Sequence, residues 1–138
     1  MINIRGLDHV VLRVADMERA LRFYIDALGC RIEKRQDDIG LVQLRAGLSL
    51  IDLVAVSGKI GRAGDAAPGE EGRNMDHFCV RVEPWDEAAT IAHLKTHDIR
   101  IGDVGSRYGA EGQGPSIYIH DPDGNTVELK GPPDPPTT

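Results

Sequence analysis

The stretch Asp8-His9-Val10-Val11-Leu12-Arg13-Val14 occurs a second time, in variant form, as Asp76-His77-Phe78-Cys79-Val80-Arg81-Val82. Both versions are rich in β-formers and read as strands. An amphipathic helix follows each. Each unit then ends in a strand that carries one carboxylate among apolar neighbours: Asp52 in Leu50-Ile51-Asp52-Leu53-Val54, and Glu128 in Val127-Glu128-Leu129-Lys130. A duplicated unit that contributes one imidazole and one carboxylate can set four metal ligands around a pseudo-two-fold axis.

Side chains alternate across a strand. Leu7, His9, Val11 and Arg13 therefore share one face of the first strand, and Met75, His77, Cys79 and Arg81 share one face of the fifth. Val10, Leu12 and Val14, and likewise Phe78, Val80 and Val82, take the opposite faces and pack under the helices. Both histidines and both arginines point away from the helix layer. A lone histidine in such a place is ordinarily a hydrogen-bonded, semi-buried side chain. Two at matched positions of a repeat, with strand-borne carboxylates, point to metal ligation by His9, His77 and Glu128. Glu128 lies between Val127 and Leu129, where a carboxylate is costly unless coordinated or paired; the alternative to a metal is an ion pair with Arg13 or Arg81. Asp52 is shorter, and is either a fourth ligand or a hydrogen-bonding neighbour of one. The same two carboxylates, Asp52 and Glu128, are the candidate general bases.

Around these strands the chain reads as βαβββ twice over. In module one (residues 5–57), Asp16 caps a helix in which Met17, Ala20, Leu21, Tyr24, Ile25 and Leu28 follow helical spacing, and Gly29 ends it. Strands are expected over 30–36, 39–45 and 48–56, broken by turns at Asp37-Asp38 and Ala46-Gly47. Residues 58–74 are glycine-rich and lack periodicity, and read as a linker or a mobile loop. Module two (75–131) has a helix from Pro84 to His97, with Ala88, Ile91, Ala92 and Leu94 on one side, and strands over 99–104, 116–120 and 126–130. Asp121-Pro122-Asp123-Gly124-Asn125 turns between the last two. Residues 132–138 form a proline-rich, loose tail. The expected fold class is α+β, two βαβββ modules forming a cupped mixed sheet within a single domain spanning 1–138.

At 138 residues the chain is long enough for one domain with a real core, and 41% hydrophobic with 28% charged residues is the balance of a soluble globular protein. A net charge of −6 without a basic cluster speaks against nucleic acid. No apolar run reaches membrane-spanning length, and Met1 to Gly6 has no signal-peptide organisation, so a cytoplasmic protein is expected. Cys30 and Cys79 lack CxxC spacing, and Cys79 reads as a small core residue. His93 and His97 are four apart on a helix but lack the HExxH glutamate, and read as a solvated face. His120 shares a strand face with Tyr118 and either lines a pocket or is structural. The glycine-rich run Gly102 to Gly114 is either a lid that brings Arg107 and Tyr108 to a substrate or an extended surface loop. The substrate-binding candidates are Arg13, Arg81, Arg107 and Tyr118.

The segments Leu7 to Asp16, Phe23-Tyr24-Ile25-Asp26-Ala27-Leu28-Gly29, Met75 to Val80 and Tyr118 to Leu129 resemble the vicinal oxygen chelate superfamily. That superfamily includes glyoxalase I, extradiol dioxygenases, fosfomycin-modifying transferases, methylmalonyl-CoA epimerase and bleomycin-resistance proteins. The resemblance implies paired βαβββ modules forming a cupped sheet around one divalent metal ion. It maps the family's histidines to His9 and His77 and its last-strand glutamate to Glu128. Glyoxalase I adds a fourth-strand glutamate, where Asp52 stands, and a glutathione-holding arginine, where Arg13 stands. Val56 replaces the asparagine expected four residues beyond Asp52; this and the aspartate speak against a glutathione-dependent glyoxalase. The Asp121 to Asn125 turn speaks against the epimerase.

A His, His, carboxylate site with open positions holds a substrate through two adjacent oxygens. With Zn, Ni or Mn the expected chemistry is glyoxalase-like lyase or isomerase proton transfer; with Fe(II) it is dioxygen activation. An aromatic content of 4% favours a small-molecule substrate with vicinal oxygens over a catechol. The alternatives are an Fe(II) extradiol-type dioxygenase and a metal-free antibiotic-binding protein. The linker is long enough to let units exchange between chains. A homodimer is expected, with sites that combine His9 and Asp52 of one chain with His77 and Glu128 of the other; the alternative is a site built within each chain.

Overall fold

The structure is a computed structural model that describes residues 1, 3–64 and 66–136; Ile2, Asp65, Thr137 and Thr138 lie outside the described residues, the last three within the expected linker and tail. The chain divides into two units, Met1–Asn74 and Met75–Thr138.

In the first unit β1 (His9–Val14) leads into α1 (Met17–Leu21), which continues as a π-helical segment over Arg22–Ala27. Asp16 starts the helix: its carboxylate accepts from the Arg19 amide at 3.0 Å. Gly29, at φ +78°, ends it in the left-handed region that glycine adopts without strain. β2 (Arg31–Gln36), β3 (Leu41–Ala46) and β4 (Ser49–Ala55) follow. The sheet order is β1-β4-β3-β2, with β1 and β4 parallel and the other pairs antiparallel. Alternation behaves as the pattern dictates. Leu12 and Val14 are buried with Tyr24, Phe23, Leu44 and Leu53, while Val11 on the other face is exposed.

Within the stretch expected as a linker or mobile loop, residues 58–64 and Ala66 are held against β4 and β1. Gly61–Gly64 forms a short 3-10 turn. Gly61 is pressed so closely against the end of β4 that a Cβ there would lie 1.9 Å from the Ala55 carbonyl oxygen. Arg13 clamps the segment from β1. A glycine contact and a single arginine leave no periodic trace in a sequence.

The second unit repeats the topology. β5 (His77–Arg81), α2 (Glu87–Thr96, capped by Asp86), β6 (Ile101–Gly109), β7 (Gly112–His120) and β8 (Thr126–Lys130) form a sheet of order β5-β8-β7-β6, with β5 and β8 parallel. Ile117, Ile119, Val127, Leu129 and Leu94 form its buried apolar set. The run Gly102 to Gly114 is neither a lid nor a loop. It is most of the β6–β7 hairpin, with Gly105 opposite Ser116, Arg107 opposite Gly114 and Tyr108 opposite Gln113. Glycines supply no side chains, so the period-two signal was absent although the ladder forms. The expected apolar side of α2 is buried only at Leu94; Ala88 and Ala92 are exposed. The Asp121 to Asn125 turn forms as read: the Asp121 carboxylate accepts from the amides of Asp123 (2.9 Å) and Asn125 (2.8 Å) and from Asn125 Nδ2 (2.8 Å). The tail is anchored at Asp134, whose amide donates to the Gln113 carbonyl at 2.6 Å. Mixed sheets with few helices make this an α+β fold. Among the described residues, no helix is long and apolar enough to cross a membrane.

Candidate functional site

Strand register shows how the repeat places its polar groups. His9 lies opposite Leu50 and Val11 opposite Asp52; His77 lies opposite Thr126 and Cys79 opposite Glu128. Each carboxylate therefore sits across the parallel pair from the residue two beyond a histidine, on the histidine's own face. Asp52 and Glu128 occupy equivalent positions.

Both half-sites are built alike. In the first, His9 Nδ1 is 2.8 Å from Asp8 Oδ2, and Nε2 faces Asp52 Oδ2 at 4.0 Å. In the second, His77 Nδ1 is 2.6 Å from Asp76 Oδ2, and Nε2 faces Glu128 Oε1 at 3.3 Å. The partners at Nδ1 are exposed aspartates, while Asp52 and Glu128 are buried, at 5% and 6% exposure. A neutral imidazole has one N–H and cannot serve a carboxylate at each nitrogen. A second proton or a metal ion at Nε2 resolves the conflict. The proton's side of this balance is visible at His9, whose pKa is raised first by the hydrogen bond to Asp8 and then by the Asp52 charge.

Asp52 adds a second indication. Gln43 Nε2 donates to its Oδ2 at 3.2 Å, but its Oδ1 is buried without a hydrogen-bond partner. Such an oxygen is costly unless something cationic or protic meets it. Imidazole nitrogens braced at Nδ1, with buried carboxylate oxygens beside Nε2, are the donor types that divalent Zn, Ni, Mn or Fe takes. The residues fit a metal ion. Among the described residues no group of three or more His, Cys, Asp or Glu side chains is gathered to hold one; the donors stand as two pairs, one in each unit.

The other expected site residues have local partners. Arg13, expected at the substrate, donates to the Gly61 carbonyl through Nε (3.2 Å) and Nη2 (3.0 Å) and to the Ala66 carbonyl through Nη1 (2.8 Å). Arg81 pairs with Glu111 at 2.8 Å and donates to the Val82 carbonyl at 2.7 Å, which leaves Glu128 to His77. The Arg107 guanidinium lies 4.1 Å from the Tyr118 ring centre and pairs with Asp103. Tyr118 in turn meets His77 edge-on at 5.4 Å. Cys79 is exposed beside Glu128 rather than in the core, and both cysteines are free. His93 and His97 are exposed with their rings tilted and 4.8 Å apart, and His120 Nδ1 lies 3.4 Å from Thr126 Oγ1. Asp8, Asp76 and Gln43 carry roles that the sequence reading did not assign. The duplicated Asp-His dipeptide was the available signal for the first two.

This arrangement has known relatives. The sequence model of the Glyoxalase/Bleomycin resistance protein/Dioxygenase superfamily matches residues 6–129. The chain belongs to this superfamily. It is 27% identical over 134 residues to the human mitochondrial methylmalonyl-CoA epimerase, covering 93% of this chain and 74% of that protein. The similarity spans both units despite the Asp121 to Asn125 turn expected to separate them. A virulence protein of Salmonella typhimurium is 30% identical over 128 residues, covering 91% of this chain and 83% of that protein. Its crystal structure has a TM-score of 0.77 and covers 95% of this chain and 99% of that one. Metapyrocatechase of Geobacillus stearothermophilus is 27% identical over 94% of this chain, which spans 38% of that longer protein. Superfamily relatives of this chain thus include enzymes of isomerase and dioxygenase type.

Proposed function

We propose that this superfamily member is a divalent-metal-dependent enzyme of the lyase or isomerase class, which moves a proton at a carbon beside two adjacent substrate oxygens. The observation behind this reading is the same arrangement in both units, an imidazole held at Nδ1 by the preceding aspartate and facing a buried carboxylate at Nε2. His9, His77 and Glu128 would hold the ion, one half-site of each kind per ion, with Asp52 beside it as the base. When bound, the ion supplies Lewis-acid polarisation of the paired oxygens. Asp8 and Asp76 fix the two imidazole rings. Glu128 remains with His77. Asp52, anchored by Gln43 through Oδ2, keeps Oδ1 free to accept the proton. Burial of both carboxylates keeps bulk water from competing for that proton.

The test is loading the purified full chain with Zn, Ni, Mn or Fe(II), followed by elemental analysis and two assays. Deuterium uptake from heavy water by hemithioacetals or by 2-substituted malonyl thioesters supports the proposal. Absence of any bound ion overturns the metal and favours a binding protein. Oxygen consumption on catechols with Fe(II) alone replaces the proposal with the dioxygenase.

A further inference from the structure

The second unit holds a cavity of about 330 Å³ beside the His77–Glu128 pair, roofed by the β6–β7 hairpin. Lys130 lines it from β8. Lysine normally runs its stem along apolar surface and leaves its ammonium in water. Lys130 is only 6% exposed, and its Nζ is buried without a hydrogen-bond partner. Among the described residues lining the cavity, the other basic groups are committed: Arg81 to Glu111, and His77 to Asp76 and Glu128.

The repeat shows that the fold does not need a cation there. Arg13 pairs with Val54 in the first unit as Arg81 pairs with Lys130 in the second, so Lys130 stands where the first unit has a buried valine. The second unit also makes room for the longer side chain. A Cβ at Gly109 would lie 2.5 Å from Lys130 Cε, and one at Gly114 would lie 3.2 Å from Nζ. A buried ammonium in a hollow, on the face that carries Glu128, is the complement of an anion.

We propose that Lys130 binds a second, anionic group of the substrate, a carboxylate, so that the substrate is an acid whose charged end lies in this cavity while its vicinal oxygens face His77 and Glu128. This rests on the reading of His77 and Glu128 as the chelating end. Lys130 is two residues from Glu128, a separation of about 6–7 Å along the strand, which a short carbon chain spans.

The probes are 2-oxobutyrate, which has one chelating head, and 2-oxoglutarate and 2-oxoadipate, which add a distal carboxylate. Calorimetry on the Ni-loaded full chain is expected to show a dicarboxylate preference of ~10–100-fold, the range for a charged hydrogen bond. Lys130→Met, of similar length and apolar, is expected to erase that preference while leaving metal content and 2-oxobutyrate affinity unchanged. A metal-loaded wild type that prefers neither dicarboxylate overturns the proposal, as does a preference that survives Lys130→Met. Metal-free protein titrated with glutarate separates the two readings. Lys130-dependent glutarate binding in a chain that takes up no metal upholds the anion site and overturns the metal centre; glutarate binding unchanged by Lys130→Met overturns the anion site.

Discussion

Removing the Asp76 side chain tests whether the aspartate before each histidine exists to hold an imidazole for a metal. Asp76 Oδ2 is 2.6 Å from His77 Nδ1, yet the side chain is 96% exposed. Asp76→Ala leaves no cavity and strands no buried group, so the metal-free protein should unfold within ~0.5 kcal/mol of wild type. Metal affinity should respond far more. Carboxylates behind a ligating histidine set its tautomer and basicity, and their loss weakens binding by ~10–100-fold, or about 1.4–2.7 kcal/mol. Asp76→Asn keeps an acceptor at Nδ1 and should lose less than Asp76→Ala. The assay is competition for Zn against a chromogenic chelator, with thermal unfolding of the metal-free protein as control. Salt separates positioning from bulk attraction of the cation: an exposed charge acting only at long range loses its effect between 0.05 and 0.5 M salt, whereas a positioning effect persists. Unchanged Zn affinity in an Asp8→Ala, Asp76→Ala double variant would refute the reasoning.

Four further outcomes are expected. Gly61→Ala drives a Cβ into the Ala55 backbone, so it should free the 58–74 segment, seen as faster limited proteolysis there while β5 to β8 stay protected. Burial pushes the Cys30 thiol from 9.0 up to about 11. The unfolded thiol then ionises first, so Cys30 should withdraw ~2–3 kcal/mol of stability between pH 9 and 11 and none below, read as the wild-type decline minus that of Cys30→Ala in urea titrations. Mixing His9→Ala with His77→Ala chains should restore Zn binding if sites are shared across a homodimer, because one site of each heterodimer is then intact; no recovery with confirmed subunit exchange rejects the shared site. Asp52→Glu should retain Zn while slowing turnover by ~100-fold or more, as kinetics on the loaded enzyme would show.

The matched His and carboxylate positions and the repeated βαβββ order were legible because they ride on alternation. A valine-rich strand with a histidine on one face declares that face, and its duplication declares a repeated unit; the two sheets, β1-β4-β3-β2 and β5-β8-β7-β6, share one order. What stayed hidden has no side-chain period. The β6–β7 hairpin is built on glycines whose backbone pairs silently. The Arg13 clamp joins β1 to carbonyls of Gly61 and Ala66, a contact between distant positions that no local window contains. The exposure of α2 depends on what packs against it. Its spacing of Ala88, Ile91, Ala92 and Leu94 fits a buried stripe as well as a half-covered one.

The divergence between the two units is as informative as their likeness. The imidazoles and their aspartate braces are the same, but the carboxylates differ by one methylene. That methylene tracks with geometry: Glu128 comes within 3.3 Å of its histidine, while Asp52 stays 4.0 Å away and leaves one oxygen buried without a partner. On the proposed mechanism the spare Asp52 oxygen is the one that accepts the proton, whereas Glu128 stays with His77. Shortening one separates a group that stays on its imidazole from one that has an oxygen to spare. The neighbouring position diverges too, from buried Val54 to buried Lys130. Thus the unit with the longer carboxylate also carries the unmet positive charge. If one ancestral unit was doubled, the symmetric parts are those proposed to hold an ion, and the parts that drifted apart are those that would decide which proton moves and which substrate enters.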